Sequence, residues 1–225
     1  MKKLSFQPDI SLQHYSRQWT QQGIPLLQAE ASLPCLSFKE HKKSARRINL
    51  FYRRYLRAFY RFCEKDLLPR AKADFLASLA QSHPIPMTAV TLRCAVTYAE
   101  KGILSLHTDL IATAPGRTFF TRSADTWDLK TGFPVSLGEC FPDGRVPKKA
   151  MVAFARQKAA ENIAAGEIYR EDYRRALRRH FSPRRFYLTG EGLVFYYQPG
   201  SIAPMARGPL TFLLPYRENG PQMPA

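Results

Sequence analysis

The sequence predicts an α+β fold, an antiparallel β-sheet packed against two helical segments in the order β-α-βββ-α-βββ. Two stretches carry apolar residues at helical spacing, one from Ile48 and one from Pro147. Between them lie three strand-like runs joined by connections short enough to make antiparallel neighbours. After the second helical stretch come three more runs, broken by glycine and proline.

Residues 26–38, "LLQAEASLPCLSF", follow Gly23 and Pro25 and alternate in part, which predicts the first strand. The polar stretch "KEHKKSARR" leads into a helix. From Ile48 the positions Phe51, Tyr52, Tyr55, Phe59, Phe62 and Cys63 recur at spacings of three and four, and Arg53, Arg54, Arg57 and Arg61 fall largely opposite. This helix runs toward Pro69 and resumes through "AKADFLASLAQ", until "HPIP" at 83–86 breaks it.

"MTAVTLRCAVTYAE", "GILSLHTDLIATA" and "RTFFTRSADTWDLKTG" read as consecutive strands, turned at Glu100–Gly102 and at "APGR". A second helix begins near Pro147, pauses at Gly166 as a C-cap and resumes through "EIYREDYRRALRRHF", where Tyr169, Tyr173, Leu177 and Phe181 recur every four residues. In "FYLTGEGLVFYYQPGSIAP", alternation points Leu193, Phe195 and Tyr197 one way and Val194 and Tyr196 the other, so at least one aromatic set packs beneath the helices. "PLTFLLPY" is the last strand. The expected organisation is an N-terminal extension at 1–23, one domain at 24–218 and a tail at 219–225.

The 225 residues, 45% apolar, suffice for one substantial core. A formal charge of +16 is far enough from neutral to attract an acidic protein or another polyanion, and nucleic acid is an admissible partner. Lys2 and Lys3 are followed by no apolar run, because Gln7, Pro8 and Asp9 interrupt it. No stretch reaches the roughly 18 to 20 apolar residues of a membrane span. The expectation is a soluble, cytoplasmic protein. Cys35, Cys63, Cys94 and Cys140 form no CxxC pair, so buried free thiols are expected and no metal or other cofactor is.

Phe186, Tyr187, Gly192, Leu193, Val194, Phe195, Tyr196, Ile202, Ala203, Pro204, Gly208 and Pro215 stand in the order and spacing of a known family pattern. The segment resembles the domain of unknown function found in the lysozyme-sensing anti-sigma factor RsiV and beside the catalytic domain of the peptidoglycan deacetylase PdaC. "WDLKTGFPVSLGECF" and the serine-containing run at 103–113 are similar to earlier parts of that pattern. Many relatives have Tyr-Glu before Ile-Ala-Pro and Tyr after it, where this chain has Gly200, Ser201 and Met205, so the Gly200–Met205 segment is where a ligand surface would differ. The resemblance implies a binding or sensing module and no chemistry of its own. A lysozyme partner is not carried over, because common lysozymes are cationic and would be repelled by a charge of +16.

No converging acid, base and nucleophile is legible, and no catalytic residue is assigned. The five histidines occupy separate contexts; His107 and Asp109 read as an ordinary pair on the solvent face of a strand. A hydrolase would need a pocket joining His107 to a carboxylate and a hydroxyl. Asp125, Asp128 and Glu139 around "DLKTG" read as turn formers rather than a calcium loop. The basic clusters remain as candidate partner-binding residues: Arg53, Arg54, Arg57 and Arg61 in one, and Arg170, Arg174, Arg178, Arg184 and Arg185 in the other. Charge runs on helices are usually solvated faces of mixed sign, and these are nearly one-signed. The expected protein is a non-enzymatic module that binds an acidic partner through them.

Overall fold

The computed structural model describes residues 9–38, 40–217 and 220–224. Strands β1 (Asp9–Gln21), β2 (Ile24–Ser37), β3 (Thr88–Glu100), β4 (Ile103–Ala114), β5 (Arg117–Asp128) and β6 (Phe133–Pro134) form one sheet in that order. Strands β7 (Phe186–Leu188), β8 (Gly192–Tyr197) and β9 (Leu210–Pro215) form a second, antiparallel one. The helices are α1 (Lys42–Phe62), α2 (Leu68–Ala80), α3 (Lys148–Ala164) and α4 (Tyr173–His180). The architecture is α+β as expected, with two open sheets in place of one. Residues 9–94 and 108–120 form one compact unit, and 95–107 with 121–224 form another.

In the first unit the segment 9–21, assigned to an extension by sequence, is strand β1, paired antiparallel with β2 along its whole length. It carries no period-2 signal because neither of its faces is buried. Gln22 and Gly23, both at positive φ, form the two-residue turn that joins the strands. The β2–β3 pair is parallel, a correction to a wholly antiparallel sheet. The helices between these strands are the crossover that lets the chain return in the same direction.

The first helix starts earlier than the apolar run at Ile48, because Ser44 and Ala45 already face the core. Ile48, Tyr52 and Phe59 continue that face and pack it toward β2. A π-turn at Cys63–Leu67 separates α1 from α2 and loosens the hydrogen-bond ladder where Pro69 lacks an N–H. Beyond Ser32 strand β2 has no β3 partner among the described residues, and the chain closes that edge locally. Asn49 on α1 accepts from the Leu36 N–H at 2.9 Å and donates to the Leu36 carbonyl at 2.8 Å.

In the second unit Lys101 and Gly102, both at positive φ, form the tight turn between β3 and β4. Asp128 accepts from the Lys130 N–H and the Thr131 hydroxyl, each at 2.8 Å, which is the turn role its position suggested. All six β8 residues are buried. Leu193, Phe195 and Tyr197 join the core under α3 and α4 with Met151, Ala155 and Leu177, while Val194 and Tyr196 pack with Tyr187 on the other face. Strand β7 is tied down by side chains: Ser105 accepts from the Leu188 N–H at 2.8 Å and Thr97 donates to the Leu188 carbonyl at 2.7 Å.

Gly166 at φ 90° ends α3 as expected, but 167–172 are not helical, and α4 is only Tyr173–His180. The Arg170 N–H donates to the Ile202 carbonyl at 3.1 Å, an attachment that a continuous helix would forgo. Of the tail at 219–225, Gln222 donates its N–H to the Cys140 carbonyl at 2.8 Å and Met223 packs on the core. Asn219 and Ala225, like residues 1–8 of the extension, lie outside the described residues.

Asn49→Ala strips both partners from Leu36 and is expected to cost about 1–3 kcal/mol, the usual penalty for stranding partly buried backbone groups. A lower urea midpoint at unchanged slope would show this, and a loss below about 0.5 kcal/mol would mean that water replaces the amide at no cost.

Candidate functional site

Helix α1 carries eight Lys and Arg residues between positions 42 and 62 and no acidic one. At about 100° per residue, Arg46, Arg53, Arg54, Arg57 and Arg61 fall within a wedge of roughly 100° centred opposite Ile48, Tyr52 and Phe59. All five are exposed, and among the described residues none of them is in an ion pair. The helix is fixed beneath this face by its buried stripe and by Asn49, so the guanidinium groups project from a rigid support. Phe51, expected on the buried side, is 39% exposed and stacks on Tyr55, their ring centroids 6.3 Å apart.

Lys42, Arg46 and Arg53 also border a cleft of about 570 Å³ against β1 and β2. Tyr15 and Cys35 form one wall and Tyr52 another. The cleft is lined by three cations and two phenols, which suits anionic groups attached to an apolar body.

The second basic cluster is arranged differently. Arg170 pairs with Asp172 at 3.1 Å and donates to the Gly200 carbonyl at 3.4 Å. Arg179 shares Asp172 at 3.9 Å and donates to His180 Nε2 at 3.1 Å. Arg174 donates to the Tyr173 hydroxyl at 3.2 Å, and Arg185 to the His180 carbonyl at 3.1 Å. Burial holds His180 below the usual histidine range, helped by the nearby Arg179 and Arg185 charges. Much of this cluster is engaged in local structure, while Arg178 and Arg184 stand exposed.

Most of the family-pattern residues are buried. Phe186, Tyr187, Gly192, Leu193, Val194, Phe195 and Tyr196 lie buried on β7 and β8, and Ile202 and Ala203 are buried beyond them. Pro204 is exposed and starts the short 3-10 turn Met205–Arg207, which Gly208 ends at φ 70°. A Cβ on Gly192 would run into the Leu214 carbonyl oxygen, so β8 approaches β9 too closely there for any side chain. In the divergent segment Gly200 holds φ 75° and Ser201 donates to the Gln198 carbonyl at 2.6 Å.

His107 is half-buried with its ring 5.2 Å from that of Tyr187, rather than on a solvent face. Among the described residues no group of three or more His, Cys, Asp or Glu side chains could hold a metal ion. All four cysteines are free. Burial pushes the Cys63 thiol up to about 12, and burial with the Glu139 charge does the same for Cys140. Asn49, Gln198 and Arg122 have structural or cleft-lining roles that sequence reasoning missed, since a lone amide or arginine leaves no periodic trace.

Residues 141–217 match the family model described as a protein of unknown function, DUF3298. That span holds α3, α4 and the whole β7–β9 sheet, where the family pattern is densest. Two solved DUF3298 proteins share the fold. One, from Bacteroides fragilis, superposes with a TM-score of 0.67 at 15% identity over 94% of this chain and 92% of its own. The other, from Pseudomonas aeruginosa, gives 0.56 at 16% identity over 94% and 91%. No curated protein matches the chain.

At pH 8 a thiol-specific reagent is expected to label Cys35, which is partly exposed, well before Cys63 and Cys140. The raised thiols also set a pH dependence. Unfolded thiols ionise near pH 9 while the folded ones stay protonated, so stability is complete below that pH and falls toward pH 12, by up to about 1.4 kcal/mol per unit for each thiol. Equal labelling of the three in the folded protein would contradict their burial.

Proposed function

We propose that this chain is a non-enzymatic binding or sensing module of the RsiV and PdaC accessory type, which recognises an acidic partner through the arginine face of α1. The carrying observation is that face: eight cations, no acid, and five exposed arginines without ion pairs among the described residues. A solvated helix ordinarily mixes both signs, and a one-signed array repels itself unless an anion neutralises it. The α4 cluster contributes less in this reading, because Asp172 and local acceptors already engage it.

The module performs no chemistry in this reading; two of its thiols are held protonated by burial. Among the described residues no helix is long and apolar enough to cross a membrane. Four free thiols fit a reducing compartment, which supports a cytoplasmic setting.

Fluorescence anisotropy with labelled polyglutamate tests the reading. Binding is expected at low salt, falling at least tenfold between 50 and about 200 mM salt. The triple variant R53E/R54E/R57E should lose binding at every salt concentration, and R174E/R178E should lose several-fold less. Salt-insensitive behaviour with no polyanion retained would sink the proposal. Single-stranded DNA bound ten times more tightly than polyglutamate would replace the acidic protein with nucleic acid, whose bases the exposed Phe51 and Tyr55 pair could stack.

A further inference from the structure

The edge of β5, open beyond β6 among the described residues, carries an arrangement that neither the arginine face of α1 nor the DUF3298 description accounts for. Along this edge the residues whose N–H and C=O point outward alternate with those that face β4. Arg122 and Thr126 are outward residues. The Arg122 N–H donates to Gln198 Oε1 at 3.0 Å, and its carbonyl accepts from Gln198 Nε2 and from the Tyr196 hydroxyl. The Thr126 carbonyl accepts from the Val135 N–H at 2.7 Å.

The period of two therefore places the N–H and C=O of Ala124 on the same edge, midway between these closures. Among the described residues strand β6 pairs only with Trp127 and Asp128, and a 3-10 turn at Leu137–Cys140 then takes the chain away. In the vacated lane lies a cleft of about 870 Å³ bordered by Arg122–Thr126, Ser136, Arg184, Arg185 and Gln198. From Arg122 to Thr126 the edge runs roughly 13 Å, enough for about four residues of extended chain.

We infer that this cleft takes a short extended acidic peptide, which continues the lane of β6 and pairs with Ala124. Its backbone would exchange hydrogen bonds with Ala124, as in strand addition to a sheet edge. The charges at the cleft choose its side chains: Arg122, Arg184 and Arg185 stand against the single carboxylate of Asp125. Arg184 is exposed, and its position beside the half-buried Arg185 suits a carboxylate projecting from alternate peptide residues. The Gln198 amide, bonded to both backbone groups of Arg122, already occupies one such position in place of a strand.

A fluorescein-labelled pentapeptide of alternating valine and glutamate, titrated into the full chain, tests this. Saturable binding is expected, weakened tenfold or more when the central peptide amide is N-methylated. Arg184→Glu should weaken it at least fivefold. Ala124→Pro should abolish it, since proline removes the outward N–H while an edge position tolerates it. In the α1 variant R53E/R54E/R57E the N-methylation effect should persist, because charge attraction to α1 does not depend on a peptide N–H, so failure here and failure of the α1 reading are separable. Binding that survives N-methylation within twofold, or none up to about 1 mM peptide, would overturn the inference.

Discussion

The buried residues of two strands, β2 and β8, govern the rest of the molecule. Strand β2 buries Leu26 and Leu27 in succession and then Ala29, Ala31, Leu33 and Leu36, and β8 buries every residue from Gly192 to Tyr197. Such residues are stable only when apolar material covers them, and this requirement brings α1 and α2 to β2 and α3 and α4 to β8. The helices must then turn their polar sides outward. In a chain with 34 basic and 18 acidic residues, that outward side becomes strongly positive.

Strand ends raise the complementary problem of backbone polarity. Where a neighbouring strand stops short, the chain supplies side chains instead: Asn49 for Leu36, Gln198 for Arg122, and Ser105 with Thr97 for Leu188. Each keeps a partly buried N–H or C=O from being stranded. The edge of β5 is closed in this way at Arg122 and by Val135 at Thr126, and the interval between them forms the cleft. Fold maintenance and the peptide lane thus have one origin.

Strands β3, β4 and β5 were legible because their turns announce themselves: Lys101 and Gly102 in a two-residue loop, and Pro115 with Gly116 in the next. The buried stripe of α1 was legible for the same kind of reason, a period of 3.6 in Ile48, Tyr52 and Phe59. Strand β1 was not, since with both faces largely in solvent it carries no alternation, and its existence depends on pairing with β2. The four-residue recurrence from Tyr169 to Phe181 overstated α4, because a tertiary bond from Arg170 to Ile202 outweighs the local pattern. Of the candidate binding residues, sequence located the arginines on their helices but not which of them Asp172 and His180 would engage.

The difference between the two basic clusters is the centre of the functional account: one is bound up in local structure and the other faces solvent on a rigid helix. The most direct measurement is the perturbation of arginine Nε–H resonances as polyglutamate is added to the isotope-labelled protein. The account predicts that Arg46, Arg53, Arg54, Arg57 and Arg61 shift together while Arg170 and Arg179 stay in place. Shifts concentrated on Arg174, Arg178 and Arg179, or spread evenly over all arginines, would contradict it.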